Sequence, residues 1–151
     1  MVKILACSDI HGNNLSVDNI IKKALENNVK DIIIAGDIFH FNEFKENFIG
    51  KFKKNNLDVF FVQGNHEDSN ICTLIENFYD LKNLDKSHHH IDDKSILFGL
   101  SGCIDYGELI LKEFEVFNLL KNKHDSIKKY KKNNVLITHM HPESDITGNF
   151  S

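Results

Sequence analysis

The sequence predicts an α/β fold in which strands and helices alternate along a single domain of 151 residues. Three observations predict it. Short apolar, β-branched runs recur at 2–7, 31–36, 58–63 and 135–138, each too short for a helix and continuous enough to be buried on both faces. Between them lie stretches whose apolar residues return at helical spacing, as crossovers between parallel strands require. No repeat, Pro-rich linker or low-complexity tract divides the chain, and Pro142 is its only proline.

Each element follows in order. Val2 to Cys7 is the first strand, and Ser8-Asp9-Ile10-His11-Gly12-Asn13 follows it. If the backbone stays extended there, Asp9 and His11 point to one side and can grip one cation. Gly12 lets the chain turn away, and Asn13 is a natural opener for the next helix. That helix is predicted over 14–28, with Val17, Ile20, Ile21, Ala24 and Leu25 on one face. With the run Asp31 to Gly36, which ends at Asp37, it completes a right-handed βαβ unit. A second helix is predicted over 42–55, its Phe41, Phe44, Phe48 and Phe52 stripe serving as core packing.

The third strand, from Asp58, leads into Gly64-Asn65-His66-Glu67. A helix over 68–80 follows, with Ile71, Leu74, Ile75 and Phe78 inward. The polar stretch 85–94 holds His88, His89 and His90, which read as a surface loop because neighbours on an extended chain alternate sides. A strand is predicted over 95–102 and a mainly helical segment over 107–132. The Lys-rich end of that segment reads as a solvated helix terminus favoured by the helix dipole. Val135 to Thr138 is the last predicted strand and ends at His139.

Composition narrows the function classes. Apolar residues make up 41% and charged residues 26%, ordinary for a globular protein, and the net charge of −4 gives no reason to expect nucleic acid. There is no apolar run of membrane-spanning length and no signal peptide pattern, so the expected location is the cytoplasm. Cys7, Cys72 and Cys103 lack the paired spacings of a zinc knuckle and read as buried or free thiols in a reducing compartment. All 18 basic residues are Lys, so the chain offers no bidentate guanidinium clamp for phosphate.

Four predicted strands therefore deliver Asp9 and His11, Asp37, Asn65 and His66, and His139 at their carboxyl ends. In parallel sheets those ends share an edge, and the donors should converge on a shared metal site. Asp9-x-His11, Gly36-Asp37, Gly64-Asn65-His66-Glu67 and Thr138-His139, in this order and spacing, resemble the calcineurin-like metallophosphoesterases, especially their small bacterial and archaeal branch.

The resemblance implies a layered α/β/β/α metallophosphoesterase sandwich. It implies a divalent-metal-dependent phosphoesterase, with a phosphodiester slightly favoured over a phosphomonoester, working through a dinuclear centre and a bridging hydroxide. Asp9, His11 and Asp37 would hold one ion, and Asp37, Asn65 and His139 the other, with Asp37 as the bridge. The ions would be manganese first, with iron, zinc, nickel or cobalt as alternatives. His66 would be the general acid or transition-state stabiliser. His40, three residues after Asp37, stands where the Ser/Thr protein phosphatases of the superfamily have an Asp, so that branch is not expected.

The family's fifth block, Gly-His-x-His, does not occur before Ser151. The domain is therefore expected to be incomplete at its C-terminal end, to hold metal weakly and to self-associate through an uncovered sheet edge. His141 imitates part of the missing spacing and is left open as a ligand. Two other readings stand beside the enzyme: a non-catalytic binding or scaffold protein with a depleted site, and a fragment whose parent is active.

Overall fold

The computed structural model describes residues 2–40, 47–104 and 106–140. The expectations for Phe41, Phe44, His141 and the C-terminal end lie outside these residues.

Two sheets are packed face to face between layers of helix. The first is parallel, in the order β1 (Ile4–Cys7), β2 (Asp31–Ala35), β3 (Asp58–Val62) and β4 (Lys82–Asn83). The second comprises β5 (His89–His90), β6 (Ser95–Leu100) and β7 (Asn133–Thr138), with β6 antiparallel to β5 and parallel to β7. Because side chains alternate along a strand, each strand of the first sheet serves two cores. Ile32, Ile34, Val59 and Phe61 pack with Val17, Ile21 and Ala24 of α1 (Asn14–Glu26), Phe52 of α2 (Gly50–Lys54) and Cys72 and Ile75 of α3 (Ser69–Tyr79). Ile33, Phe60 and Val62 point the other way, onto Leu84 and Leu97 beneath the second sheet. The outer face of β6, Ile96 and Phe98, meets Ile127 of α4 (Glu113–Ile127) and Tyr130. The order of layers is thus α/β/β/α, as expected.

The sequence places the helices by their caps as well as their periodicity. The Asn13 side chain accepts the backbone N–H groups of Leu15 and Ser16, and that of Asp68 accepts those of Asn70 and Ile71. Each satisfies donors that the first helical turn leaves unpaired.

Several expectations are corrected. Leu25 is 51% exposed and Phe78 is 77% exposed, both outside the stripes that face the sheet. Within 47–55 the helix begins only at Gly50, because Asn47 sits at φ 57, a left-handed conformation that a right-handed helix cannot contain. Residues 107–112 are not helical: Gly107 has φ 137, and Cys103 bridges Ile110. His89 and His90 form β5 instead of lying in a loop, with the His89 ring 4.3 Å from that of Phe60. Among the described residues no helix is long and apolar enough to cross a membrane.

Candidate metal centre

The centre lies where the loops after β1, β2, β3 and β7 meet. Three backbone hydrogen bonds join the first two loops, from Asp9 N to Gly36 O, His11 N to Asp37 O and Gly12 N to Ile38 O. They hold Asp9, His11 and Asp37 at φ 54, 48 and 53. The extended backbone expected between Asp9 and His11 is therefore wrong. Both residues are left-handed, a conformation unusual outside glycine but tolerated by Asp, Asn and His, and the surrounding hydrogen bonds enforce it. Their side chains still converge, with His11 Nε2 3.7 Å from Asp9 Oδ1.

Asp37 is the middle of the cluster and only 2% exposed. Its Oδ1 accepts the backbone N–H groups of Asn65 (2.9 Å) and His66 (3.1 Å), which fixes the carboxylate plane. Its Oδ2 lies 3.7 Å from both His11 Nε2 and His66 Nε2, and Oδ1 lies 3.6 Å from His139 Nε2. His139 reaches the centre from the end of β7, so the donors come from both sheets and not from one shared edge. Its Nδ1 lies 2.8 Å from Ala35 O. A carbonyl can only accept, so Nδ1 carries the proton and Nε2 presents a lone pair.

These separations suit an ion. Ligands about 2.1 Å from one cation lie roughly 3 Å apart at a right angle and roughly 4 Å apart when opposed. The carboxylate–imidazole pairs at 3.6–3.7 Å are too long for hydrogen bonds, yet they fall within that span. His139 Nε2 and Asn65 Oδ1 stand 2.9 Å apart, so two lone pairs face each other, an arrangement that a shared cation makes favourable. Two groups, Asp9 with Asp37 and His139, and His11 with His40 and His66, each bring their ligand atoms within 4.8 Å of one another. Asp9, His11, Asp37, Asn65, His66 and His139 are all brought together.

Burial lowers the pKa of His66, and the neighbouring His11, His40 and His139 push the same way against the attraction of Asp37. Burial raises the pKa of Glu67, opposed by the backbone N–H groups that it accepts.

Glu67 is the residue whose role the sequence left unread. Only 1% exposed, it accepts Asp37 N (3.2 Å) and Gly64 N (3.0 Å) on Oε2 and Phe39 N (2.8 Å) on Oε1. It thereby ties the loop carrying Asp37 to the loop carrying Asn65. Its place in the Gly64–Glu67 block was the available signal. The support from Glu108 N to Asn65 O (3.2 Å), beside Gly107 packed on Asn65, had no such signal.

Comparisons with known proteins give the family and the fold. The sequence profile of the calcineurin-like phosphoesterase family matches residues 2–150. No curated protein sequence matches the chain. Among solved structures, the protein TT1561 of Thermus thermophilus superimposes with a TM-score of 0.69 at 17% identity, over 96% of this chain and 71% of that one. A dimetal phosphatase from Danio rerio superimposes with a TM-score of 0.59 at 10% identity, over 91% of this chain and 69% of that one. At these identities the likeness is one of fold. The profile match spans nearly the whole sequence, and on that ground the chain belongs to the calcineurin-like phosphoesterase family, a family of metal-dependent phosphoester hydrolases.

Proposed function

We propose that the protein hydrolyses phosphoesters at a dinuclear centre. Asp9, His11 and Asp37 hold one divalent ion, and Asp37, Asn65 and His139 hold the other. The observation that carries this reading is the Asp37 carboxylate. Its Oδ1 is occupied by the two N–H groups of Asn65 and His66, whereas Oδ2 faces the His11 and His66 imidazoles with no hydrogen bond to either. The tied oxygen fixes the group, and the other keeps its lone pairs for a bridging position, where negative charge offsets the repulsion between two cations. Bound there, the two ions would polarise the phosphoryl oxygens and bring the pKa of water towards neutrality.

His66 presents Nε2 on the Oδ2 side of Asp37, where it would donate to the departing oxygen, as general acid or as hydrogen-bond donor. Oxygen and imidazole ligands without thiolate suit Mn²⁺, with Fe²⁺ and the later divalent ions as alternatives. A phosphodiester is favoured over a monoester because a chain without Arg better matches the lower charge of a diester. Cys7, Cys72 and Cys103 form no disulfide, which fits a reducing compartment such as the cytoplasm. The likeness to a dimetal phosphatase supports the two-ion form of the reading.

The test is metal content and hydrolysis of bis(p-nitrophenyl) phosphate by Mn²⁺-loaded protein. Asp37→Asn should lose most of both, and His89→Ala, away from the centre, should keep both. Equal metal content in the wild type and Asp37→Asn would remove Asp37 as the bridge.

A further inference from the structure

Resting on the phosphoesterase reading, we propose that the loop after β6 forms a subsite for an uncharged aromatic group of the substrate, with Tyr106 as the residue that packs on it. β6 ends at Leu100, and α4 begins only at Glu113. In between, Cys103 N donates to Leu109 O (2.8 Å) and Leu111 N donates to Cys103 O (2.7 Å), which closes the loop at its base. Two further bonds fasten it to the segment that carries Asn65: Gly102 N donates to Gln63 O (3.2 Å) and Glu108 N donates to Asn65 O (3.2 Å). Gly107 sits so close that a Cβ on it would stand 2.5 Å from the Asn65 Cβ. The loop is therefore built against a residue proposed to hold metal.

That contact sets the reach of Tyr106. Consecutive Cα atoms are about 3.8 Å apart, so the Tyr106 Cα lies within roughly 8 Å of the Asn65 Cβ. A tyrosine side chain and a ring esterified to a bound phosphoryl group can bridge that distance together. A diester carries two alcohol groups, and the subsite receives one of them.

Exposure and charge define what fits. Ile104 is 49% exposed, Tyr106 63% and Ile110 54%. Single apolar side chains in water are ordinary, but three on one loop beside the centre make a surface that an apolar ligand covers with a gain in free energy. Tyr106 adds a ring face, on which another ring stacks or abuts edge-on. Residues 102–111 include Asp105 and Glu108 and no Lys or His. A further anionic group on the substrate would be repelled there, whereas an uncharged ring would not. The subsite thus selects a diester with an aromatic alcohol over a substrate bearing additional phosphates.

The test uses Mn²⁺-loaded full chain, Tyr106→Ala and Tyr106→Phe. Inhibition of bis(p-nitrophenyl) phosphate hydrolysis by phenylphosphonate and by methylphosphonate is measured, together with metal content. Both inhibitors offer a phosphonate to the ions, and only one carries a ring. The wild type should bind phenylphosphonate about tenfold more tightly than methylphosphonate, the scale of one aromatic contact. Tyr106→Ala should lose most of that preference while keeping the wild-type metal content. Tyr106→Phe should retain it, because the ring and not the hydroxyl makes the contact. Equal inhibition of the wild type by the two phosphonates, or a preference that survives in Tyr106→Ala, would overturn the subsite while leaving the phosphoesterase reading intact. Loss of metal in Tyr106→Ala would overturn it by making the residue a support of the centre. A wild type that neither takes up metal nor hydrolyses the ester would overturn both readings together.

Discussion

A methyl group added at Gly64 would have no room: its carbon would lie 2.1 Å from Asp37 Oδ1 and 2.5 Å from Asp37 N. The backbone nitrogen cannot move aside, the carboxylate oxygen is held by the N–H groups of Asn65 and His66, and both atoms belong to the residue at the middle of the cluster. Gly36 is constrained from the opposite side, with φ +86 and a Cβ position 2.7 Å from the His139 ring. Both glycines leave space for a neighbouring residue of the centre. Gly64→Ala should therefore cost about 1–3 kcal/mol of stability, the usual scale of overpacking. It should also lower metal content and hydrolysis at least tenfold by displacing the carboxylate. Metal analysis and urea unfolding of the folded variant check both, and a fully metal-loaded variant would contradict the placement of Asp37.

At the scale of the element, α3 carries Cys72 on its buried face, where desolvation pushes the thiol from 9.0 up to about 12. A raised folded-state pKa makes a stability contribution that is whole below pH 9 and is lost as pH climbs towards 12, because only the unfolded chain ionises in that window. Relative to Cys72→Ala, the wild type should hold a constant stability difference up to about pH 8.5. Above that it should lose up to about 1.4 kcal/mol per pH unit. Urea unfolding at pH 8, 9.5 and 10.5 measures it, and parallel decline of the two proteins would contradict the burial argument. The strands around this helix were legible in the sequence because burial on both faces leaves continuous runs such as Asp31–Ala35 and Asp58–Val62. The exposed Leu25 and Phe78 were not, since periodicity defines a stripe without fixing how wide a surface covers it. The left-handed Asp9, His11 and Asp37 were also hidden, because hydrogen bonds to residues distant in sequence impose them. The candidate ligands could be read from order and spacing. Their convergence from two different sheets could not, since nothing local tells the run ending at Thr138 which sheet to join.

For the molecule as a whole, the centre places Asp9, Asp37 and His139 around one point, so ions bound there would be linked to global stability. A ligand that binds only the folded state at about 100 times its Kd adds roughly 2.7 kcal/mol. For a chain of 151 residues this is a rise of roughly 5–10 °C in Tm. Thermal unfolding with and without Mn²⁺ should show that rise in the wild type and not in Asp37→Asn. A rise of equal size in both would place the stabilising ion elsewhere.

The hydrogen bond between His139 Nδ1 and Ala35 O spans 104 positions of sequence, and it bears on how the protein is made. A ribosome adds about 5–20 residues per second, so Asp9 leaves the exit tunnel on the order of ten seconds before His139. The parallel sheet of β1 to β4 is complete in sequence by Asn83, and the partner of β6 in the second sheet, β7, arrives last among the described strands. Metal loading at the proposed centre would consequently be a late event of synthesis. Stalled nascent chains exposing residues up to 130 should take up Mn²⁺ far more weakly than chains exposing residue 140, and equal uptake would show that the first sheet alone suffices.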